Sequence, residues 1–189
     1  MSEAVKTAVL AGGDMSVAIP AADNMELSVV LTDDADSPSA LAAQGRFEPL
    51  FVIERAMFPT QRSFDKALFE KLDDLDIDLV IMAGWRYPLS EDVLRRWERH
   101  ILCLYPVLRR ETAEIELTAC LLERTGEPGA ELVKRSIPLR AEDTAETLPA
   151  HIAEEGAPLL REAAAMICSG RLCIHGRQAK MLPELEEEP

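Results

Sequence analysis

Two side chains suited to acyl-group chemistry lie two residues apart in the sequence Ile-Leu-Cys-Leu-Tyr-Pro at residues 101–106. Side chains alternate between the faces of a β-strand, so Cys103 and Tyr105 share one face of the predicted strand. A thiolate can accept an acyl group but needs a base to remove its proton. Tyrosine, with an ordinary pKa near 10, is a poor base at neutral pH, and His100 precedes the strand. The pattern favours a buried, unreactive Cys103, with covalent catalysis as the alternative.

Two short apolar runs must position these side chains. Residues 79–83 and 101–104 lack polar alternation, which is typical of strands buried on both faces of a parallel sheet. Between them, Ser90 precedes two acidic residues, a pattern that predicts a helix start with a capping hydroxyl. Ligands of open α/β sheets bind beyond the carboxyl ends of the strands. Residues 84–89 and 103–106 are therefore expected to border one crevice.

These two segments carry a resemblance to a known family. The sequence Ala-Gly-Trp-Arg-Tyr-Pro-Leu-Ser at 83–90, followed by residues 101–106, resembles the folate loop and catalytic strand of the glycinamide ribonucleotide (phosphoribosylglycinamide) formyltransferase family. The resemblance continues at Asp-Thr-Ala-Glu-Thr-Leu, residues 143–148, where a capped helix start is predicted. It implies an α/β, Rossmann-like fold, with a mostly parallel central sheet flanked by helices. The segment after the fifth strand is shorter than in the family.

The resemblance also identifies candidate catalytic positions. The family transfers a formyl group from 10-formyltetrahydrofolate to an amine, and an Asn, a His and an Asp stabilise the oxyanion and move the amine proton. The matching positions here are Cys103, Tyr105 and Glu127. A thiol is a weak hydrogen-bond donor, and loss of one oxyanion donor typically costs about 10²–10³ in rate. The family's formyl transfer is therefore expected to be severely impaired.

The same resemblance implies a cofactor-binding loop. Trp85, Arg86, Tyr87 and Leu89 occupy the folate loop, and aromatic faces with backbone polar groups suit a planar pterin. The alternative is that Trp85 packs between a strand and a helix.

A glycine turn follows the predicted first strand, residues 7–10. Such turns bind phosphates through backbone amides, and in the family this turn holds the substrate phosphate. Gly12 and Gly13 are therefore the candidate phosphate-binding residues. Asp14 opposes this assignment because its carboxylate would repel a phosphate.

Composition limits the other classes of function. The chain has 189 residues, of which 48% are hydrophobic, and we expect a single formyltransferase-like domain at residues 1–182 with an acidic tail at 183–189. A net charge of −14 argues against nucleic-acid or anionic-membrane partners. No segment is long enough to span a bilayer, so we expect a cytoplasmic protein. The four cysteines lack Cys-x-x-Cys spacing, which favours free thiols and no metal site.

Three interpretations follow. The leading one is a formyltransferase-like protein that has lost formyl transfer and retains a folate or another small ligand, or has a regulatory role. The alternative is an active folate-dependent formyl- or acyltransferase that uses 10-formyltetrahydrofolate and another amine. The third is a structural subunit, a homo-oligomer in which another copy covers the crevice.

Overall fold

A computed structural model describes residues 3–12, 22–46 and 48–183, which form a nine-stranded sheet with helices on both faces. The strands are β1 (Val5–Ala11), β2 (Met25–Thr32), β3 (Leu50–Val52), β4 (Leu79–Ala83), β5 (Ile101–Arg109), β6 (Glu114–Leu122), β7 (Pro128–Pro138), β8 (Leu172–His175) and β9 (Gln178–Met181). The helices are α1 (Pro38–Gly45), α2 (Gln61–Asp74), α3 (Glu91–Arg96) and α4 (Leu148–Cys168). The strand order is β3-β2-β1-β4-β5-β6-β7-β9-β8.

The first five strands are parallel, whereas β6 is antiparallel to both its neighbours. The predicted α/β fold with a mostly parallel sheet is confirmed. Both faces of the sheet are apolar, because the central strands are covered on each side. Helix α4 packs on one face, against β5, β6 and β7, whereas α2 and α3 supply the core of the other face.

The shortened segment after the fifth strand is a hairpin between β5 and β6. Antiparallel strands can be joined by a tight turn, whereas a parallel return needs a crossover of a dozen or more residues. Residues 110–113 are the whole connection. Residues 105–109 therefore continue β5 as a strand paired with β6, beyond the apolar run at residues 101–104. The position of residues 103–106 at a crevice rim stays a prediction.

The helix start predicted at residues 143–146 was also wrong, because α4 begins at Leu148. Thr144 and Thr147 exchange hydrogen bonds from backbone N–H to side-chain oxygen, which closes a turn before the helix. The Asp143 side chain does not cap α4 but bonds to Arg140 and His151. Its Oδ2 accepts from the Arg140 N–H at 2.7 Å and lies 2.8 Å from Nδ1 of the buried His151. The residues predicted to cap the helix therefore form a separate turn that precedes it.

Membrane spans and metal sites can be assessed only for the described residues. Within the described ranges, no helix is both long and apolar enough to cross a membrane. The same ranges hold no group of three His, Cys, Asp or Glu side chains arranged for a metal ion. Gly13 and residues 184–189 lie outside the described residues, and the single domain with an acidic tail stays a prediction.

Candidate ligand-binding site

A buried carboxylate holds the centre of the loop formed by residues 84–89. Asp33 follows β2, and its side chain is only 5% exposed. The Tyr87 hydroxyl donates to Asp33 Oδ2 at 2.5 Å, and Arg86 Nη2 lies 3.1 Å from the same oxygen. Asp33 follows β2 and the loop follows β4, and β1 lies between these two parallel strands. The bonds therefore join the carboxyl ends of two strands across the end of β1.

A second buried carboxylate holds the end of this loop. Asp65 of α2 accepts a hydrogen bond from the Ser90 N–H at 2.5 Å and one from Gln61 Nε2 at 2.6 Å. Gln61 also donates to the Pro88 carbonyl at 2.9 Å. The predicted capping by the Ser90 hydroxyl was wrong, because that side chain makes no capping bond to α3. The only sequence signal was a polar pair, Gln61 and Asp65, one turn apart on an amphipathic helix.

Aromatic side chains fill the space between the loop and α2. Trp85 stacks on Phe64 with ring centroids 5.9 Å apart and planes 4° from parallel, and Tyr87 meets both rings edge-on. Trp85 is 8% exposed, so one of its faces is already covered by protein. Its buried indole N–H has no hydrogen-bond partner among the described residues. This placement corresponds to the alternative in which Trp85 packs between a strand and a helix.

A cavity of about 530 Å³ lies between the end of the loop, α3 and the turn at residues 123–127. Its lining residues are Leu89, Glu91, Leu94, Arg95, Arg124 and Thr125. The volume is within the range of small-molecule sites, and the lining combines two leucines with charged and hydroxyl groups. Arg95 pairs with Glu91 at 2.7 Å, whereas Arg124 makes no ion pair within the described part of the chain.

The cavity and the predicted cofactor-binding residues overlap at Leu89. Arg86 and Tyr87 are instead bonded to Asp33, and Trp85 is packed on Phe64. The residues that sequence reasoning missed are Arg95, Arg124 and Thr125. Nothing in the local sequence distinguishes these side chains from ordinary surface residues, because they meet only when the turn after β6 folds against α3.

The three candidate catalytic positions are not all brought together. Cys103 is buried, with its Sγ 3.6 Å from Cys120 Sγ, and this hydrogen bond together with burial raises the pKa of the Cys103 thiol. Tyr105 is 44% exposed and lies opposite Thr118 on β6. Glu127 lies in the turn that follows β6. The last residue of that strand, Leu122, is four residues beyond Thr118, which is roughly 13 Å along an extended strand. Among the described residues, the Glu127 carboxylate makes no recorded hydrogen bond or ion pair with either side chain.

Gly12 is required by close packing. Its N–H donates to the Ala83 carbonyl at 3.1 Å. A Cβ atom at this position would lie 2.7 Å from the Gly84 carbonyl oxygen and 3.3 Å from Trp85 Cα. The end of β1 therefore touches the start of the loop directly, whereas phosphate binding by this turn stays a prediction.

We expect Gly12→Ala to lower the free energy of unfolding by about 1–3 kcal/mol, because the new methyl group meets rigid backbone. The emission of Trp85 should also shift, since its Cα is one of the atoms displaced. Urea unfolding monitored by fluorescence measures both effects. Gly45→Ala is the matched control: no atom lies within 4 Å of its Cβ position, and this helical site should be neutral or slightly stabilised. Equal effects at the two glycines would contradict the packing argument.

The hydrogen bond between Tyr87 and Asp33 predicts that the Tyr87 phenol ionises at a higher pH than a free tyrosine. Donation to the carboxylate, then burial, raises the pKa of Tyr87 above its ordinary value of 10.0. The chain has two tyrosines, so a Tyr105→Phe variant reports on Tyr87 alone. Ultraviolet titration of that variant should show a phenol that ionises above pH 10, and adding Asp33→Asn should lower its pKa. Identical curves would exclude the bond.

The same shift has a consequence for stability. Because the folded-state pKa is the higher one, the contribution of Tyr87 is complete below the unfolded pKa near 10 and is lost as the pH rises through the folded value. Alkaline unfolding curves of the Tyr105→Phe variant, with and without Asp33→Asn, should therefore converge as the pH rises.

Comparison with known proteins agrees with this architecture. No family model matches the chain. A solved structure of glycinamide ribonucleotide transformylase 1 from Symbiobacterium toebii superposes with a TM-score of 0.80 at 21% identity, covering 97% of this chain and 96% of that one. Formyltetrahydrofolate deformylase from Burkholderia mallei gives 0.76 at 14% identity, covering 95% of this chain and 71% of the deformylase.

Among curated proteins, the trifunctional purine biosynthetic protein adenosine-3 of Gallus gallus is 24% identical over 163 residues, which is 79% of this chain. The chain spans only about a sixth of the length of the curated relatives it matches. At these identities the likeness establishes the fold. The resemblance predicted from residues 83–90 and 101–106 is confirmed, and the chain has the formyltransferase fold.

Proposed function

We propose that this chain binds a reduced folate in the cavity between Leu89 and the turn at residues 123–127, and that it does not formylate glycinamide ribonucleotide. The observation that carries the proposal is the cavity itself, about 530 Å³, which is bordered by the loop that resembles a folate loop. The fold neighbours act on formylated folates or on their acceptor, as their names state. We place this function in the cytoplasm, where free thiols persist.

The cavity lining suits the parts of a folate. Leu89 and Leu94 offer apolar surface for a flat ring, and the Thr125 hydroxyl can donate or accept a hydrogen bond. Arg124, which has no ion-pair partner in the described residues, is available for a carboxylate of the glutamate tail. Arginine binds carboxylates through two parallel hydrogen bonds, which makes it the strongest candidate for anchoring that end.

The proposed loss of formyl transfer rests on the surroundings of Cys103 and Tyr105. The Cys103 thiol is engaged with Cys120, and its raised pKa keeps it protonated, so it offers neither a strong oxyanion donor nor a thiolate. Tyr105 is exposed, and the strand register separates it from the turn that carries Glu127. Catalytic groups that act as a unit are not additive, so disabling one of them can cost about as much rate as removing all of them.

Calorimetric titration with a stable analogue of 10-formyltetrahydrofolate tests the binding. We expect a dissociation constant in the micromolar range, and we expect Arg124→Ala to weaken binding about tenfold because one charged anchor is lost. Arg110→Ala, at an exposed arginine in the β5–β6 turn, is the matched control and should bind like the original chain. Absence of heat at several temperatures, with the protein folded, would reject folate binding.

An active transferase with another amine substrate is the second candidate. The observation that favours it is the retained carboxylate of Glu127, which has no recorded partner within the described residues. Such an enzyme would release tetrahydrofolate from the formyl cofactor when offered an amine, and Glu127→Ala would abolish that release. Turnover that survives Glu127→Ala would exclude the mechanism implied by the family. Restoring Cys103→Asn with Tyr105→His revives activity only where the remaining pocket is intact.

A homo-oligomeric role is the third candidate. Strand β5 continues past its last pairing with β4, at Cys103, so within the described residues the β4-facing edge of residues 104–109 is unpaired. Tyr105 and Leu108 are exposed along this extension. Open strand edges favour pairing with another chain. Sedimentation should then show a stable dimer that Leu108→Lys disrupts, and a monomer at all concentrations would exclude this role.

A further inference from the structure

Cys103 and Cys120 are directly opposite each other on the antiparallel strands β5 and β6. Opposed residues of such strands have Cα atoms about 4.5–5.5 Å apart, within the range that disulfides span. Their Sγ atoms are 3.6 Å apart. Closing a disulfide across this pair therefore requires rotation of the side chains and no separation of the strands.

We propose that Cys103 and Cys120 form a reversible dithiol–disulfide site oxidised by peroxides. In the first step, Cys120 Sγ attacks one oxygen of hydrogen peroxide and the O–O bond breaks, which gives a sulfenic acid and one water. Cys103 Sγ then attacks the Cys120 sulfur while its proton passes to the departing sulfenic acid oxygen, so that an S–S bond forms and a second water leaves. Both sulfurs are oxidised, the peroxide is reduced, and the two thiol protons depart in the waters.

The surroundings support Cys120 as the attacking sulfur. The hydrogen bond from Cys103 lowers the pKa of the Cys120 thiol, and the Gly129 backbone amide adds a smaller lowering. Burial and the negative charge of Glu131 oppose these effects without reversing them. Cys103 is then the resolving thiol, already in contact. Both residues are buried, so hydrogen peroxide, a small oxidant, suits this site better than a bulky thiol reagent.

The other two cysteines lack this arrangement. Cys168 is buried at the end of α4, and burial raises the pKa of its thiol. Cys173 lies on β8, opposite Lys180, with its Sγ 3.3 Å from His175 Nε2. Neither has a recorded thiol neighbour among the described residues. Cys103 and Cys120 are thus the pair that can cross-link, and Cys168 and Cys173 serve as controls within the same chain.

Oxidation would change the candidate site. Cys103 would lose its S–H donor, and a covalent link would join β5 to β6 at Cys120, two residues before Leu122, where the turn with Arg124 and Thr125 begins. The disulfide would thereby restrain one wall of the cavity. This inference does not depend on folate binding, because it rests on the two strands alone.

The test is peptide mapping of the folded chain after mild hydrogen peroxide, with remaining thiols alkylated under denaturing conditions. We expect a cross-link between the peptides of Cys103 and Cys120 that dithiothreitol reverses, whereas Cys168 stays alkylatable. Cys173→Ser should leave this cross-link unchanged, and Cys120→Ser should abolish it while circular dichroism stays unchanged. Cys103→Ser provides the reciprocal variant.

The original chain alone can overturn the proposal. It fails when Cys103 and Cys120 remain thiols in folded protein under conditions that oxidise Cys173. It also fails when the cross-link forms only after urea is added, because the folded geometry would then contribute nothing.

Discussion

Phe64→Ala is expected to lower the free energy of unfolding by about 3–5 kcal/mol, the usual cost of deleting a large buried ring. Phe64 is fully buried, and its ring contacts those of Phe58, Trp85 and Tyr87. The cavity left by the ring would lie directly beneath the loop of residues 84–89. Folate binding should therefore weaken in the same variant, even where enough stability remains for it to fold.

Urea unfolding and calorimetric titration measure these two effects. Phe51→Ala is the matched control, because Phe51 lies on the edge strand β3 with 36% of its surface exposed and should lose far less stability. Phe64→Leu keeps most of the volume and should cost less than Phe64→Ala. Equal losses for the two alanine variants would show that the aromatic cluster does not support the loop.

Asp65→Ala is expected to lower the free energy of unfolding by about 3 kcal/mol, because it removes two hydrogen bonds to a buried charged acceptor. The Ser90 N–H and the Gln61 amide would both lose their partner. Since Gln61 also holds the Pro88 carbonyl, the end of the loop should loosen and α3 should fray at its start.

Hydrogen exchange at the Ser90 amide reports that local effect, and urea unfolding reports the global one. Asp74→Ala is the control on the same helix, at an exposed position near its end, and should stay close to the original stability. Asp65→Asn separates charge from shape, because it keeps the volume and one acceptor oxygen. Unchanged exchange at Ser90 in Asp65→Ala would contradict the assigned contact.

The carboxylates of Asp33 and Asp65 together fix the conformation of the loop at residues 84–89. Asp33 binds its centre and Asp65 binds its end, while Phe64 packs beneath it. A loop held at several points can present Leu89 to a ligand with little loss of conformational freedom on binding. The proposed folate site thus depends on residues that never touch the cavity.

Local sequence patterns were sufficient for most of the elements. The apolar run Leu79–Ala83 was predicted as a strand with the bounds observed, because a short uninterrupted run of Leu, Val and Ile suits only a strand buried on both faces. The apolar residues of α2 recur with the helical period, so the amphipathic pattern that begins at Gln61 is also a local signal for its element. Capping was less predictable. The Ser90 N–H donates to Asp65 of another helix, and Thr144 and Thr147 bond to each other in a turn before α4.

The sequence by itself determined the fold class, the resemblance to formyltransferases and the residues of the loop at 84–89. Only the tertiary structure decided which side chains meet. Hydrophobic periodicity and turn chemistry are properties of neighbouring residues, so they can be read from the chain. The contacts of Asp33 with Tyr87, of Asp65 with Ser90 and of Cys103 with Cys120 join residues 54, 25 and 17 positions apart. Such contacts depend on strand order and register, which arise only when the whole sheet has packed.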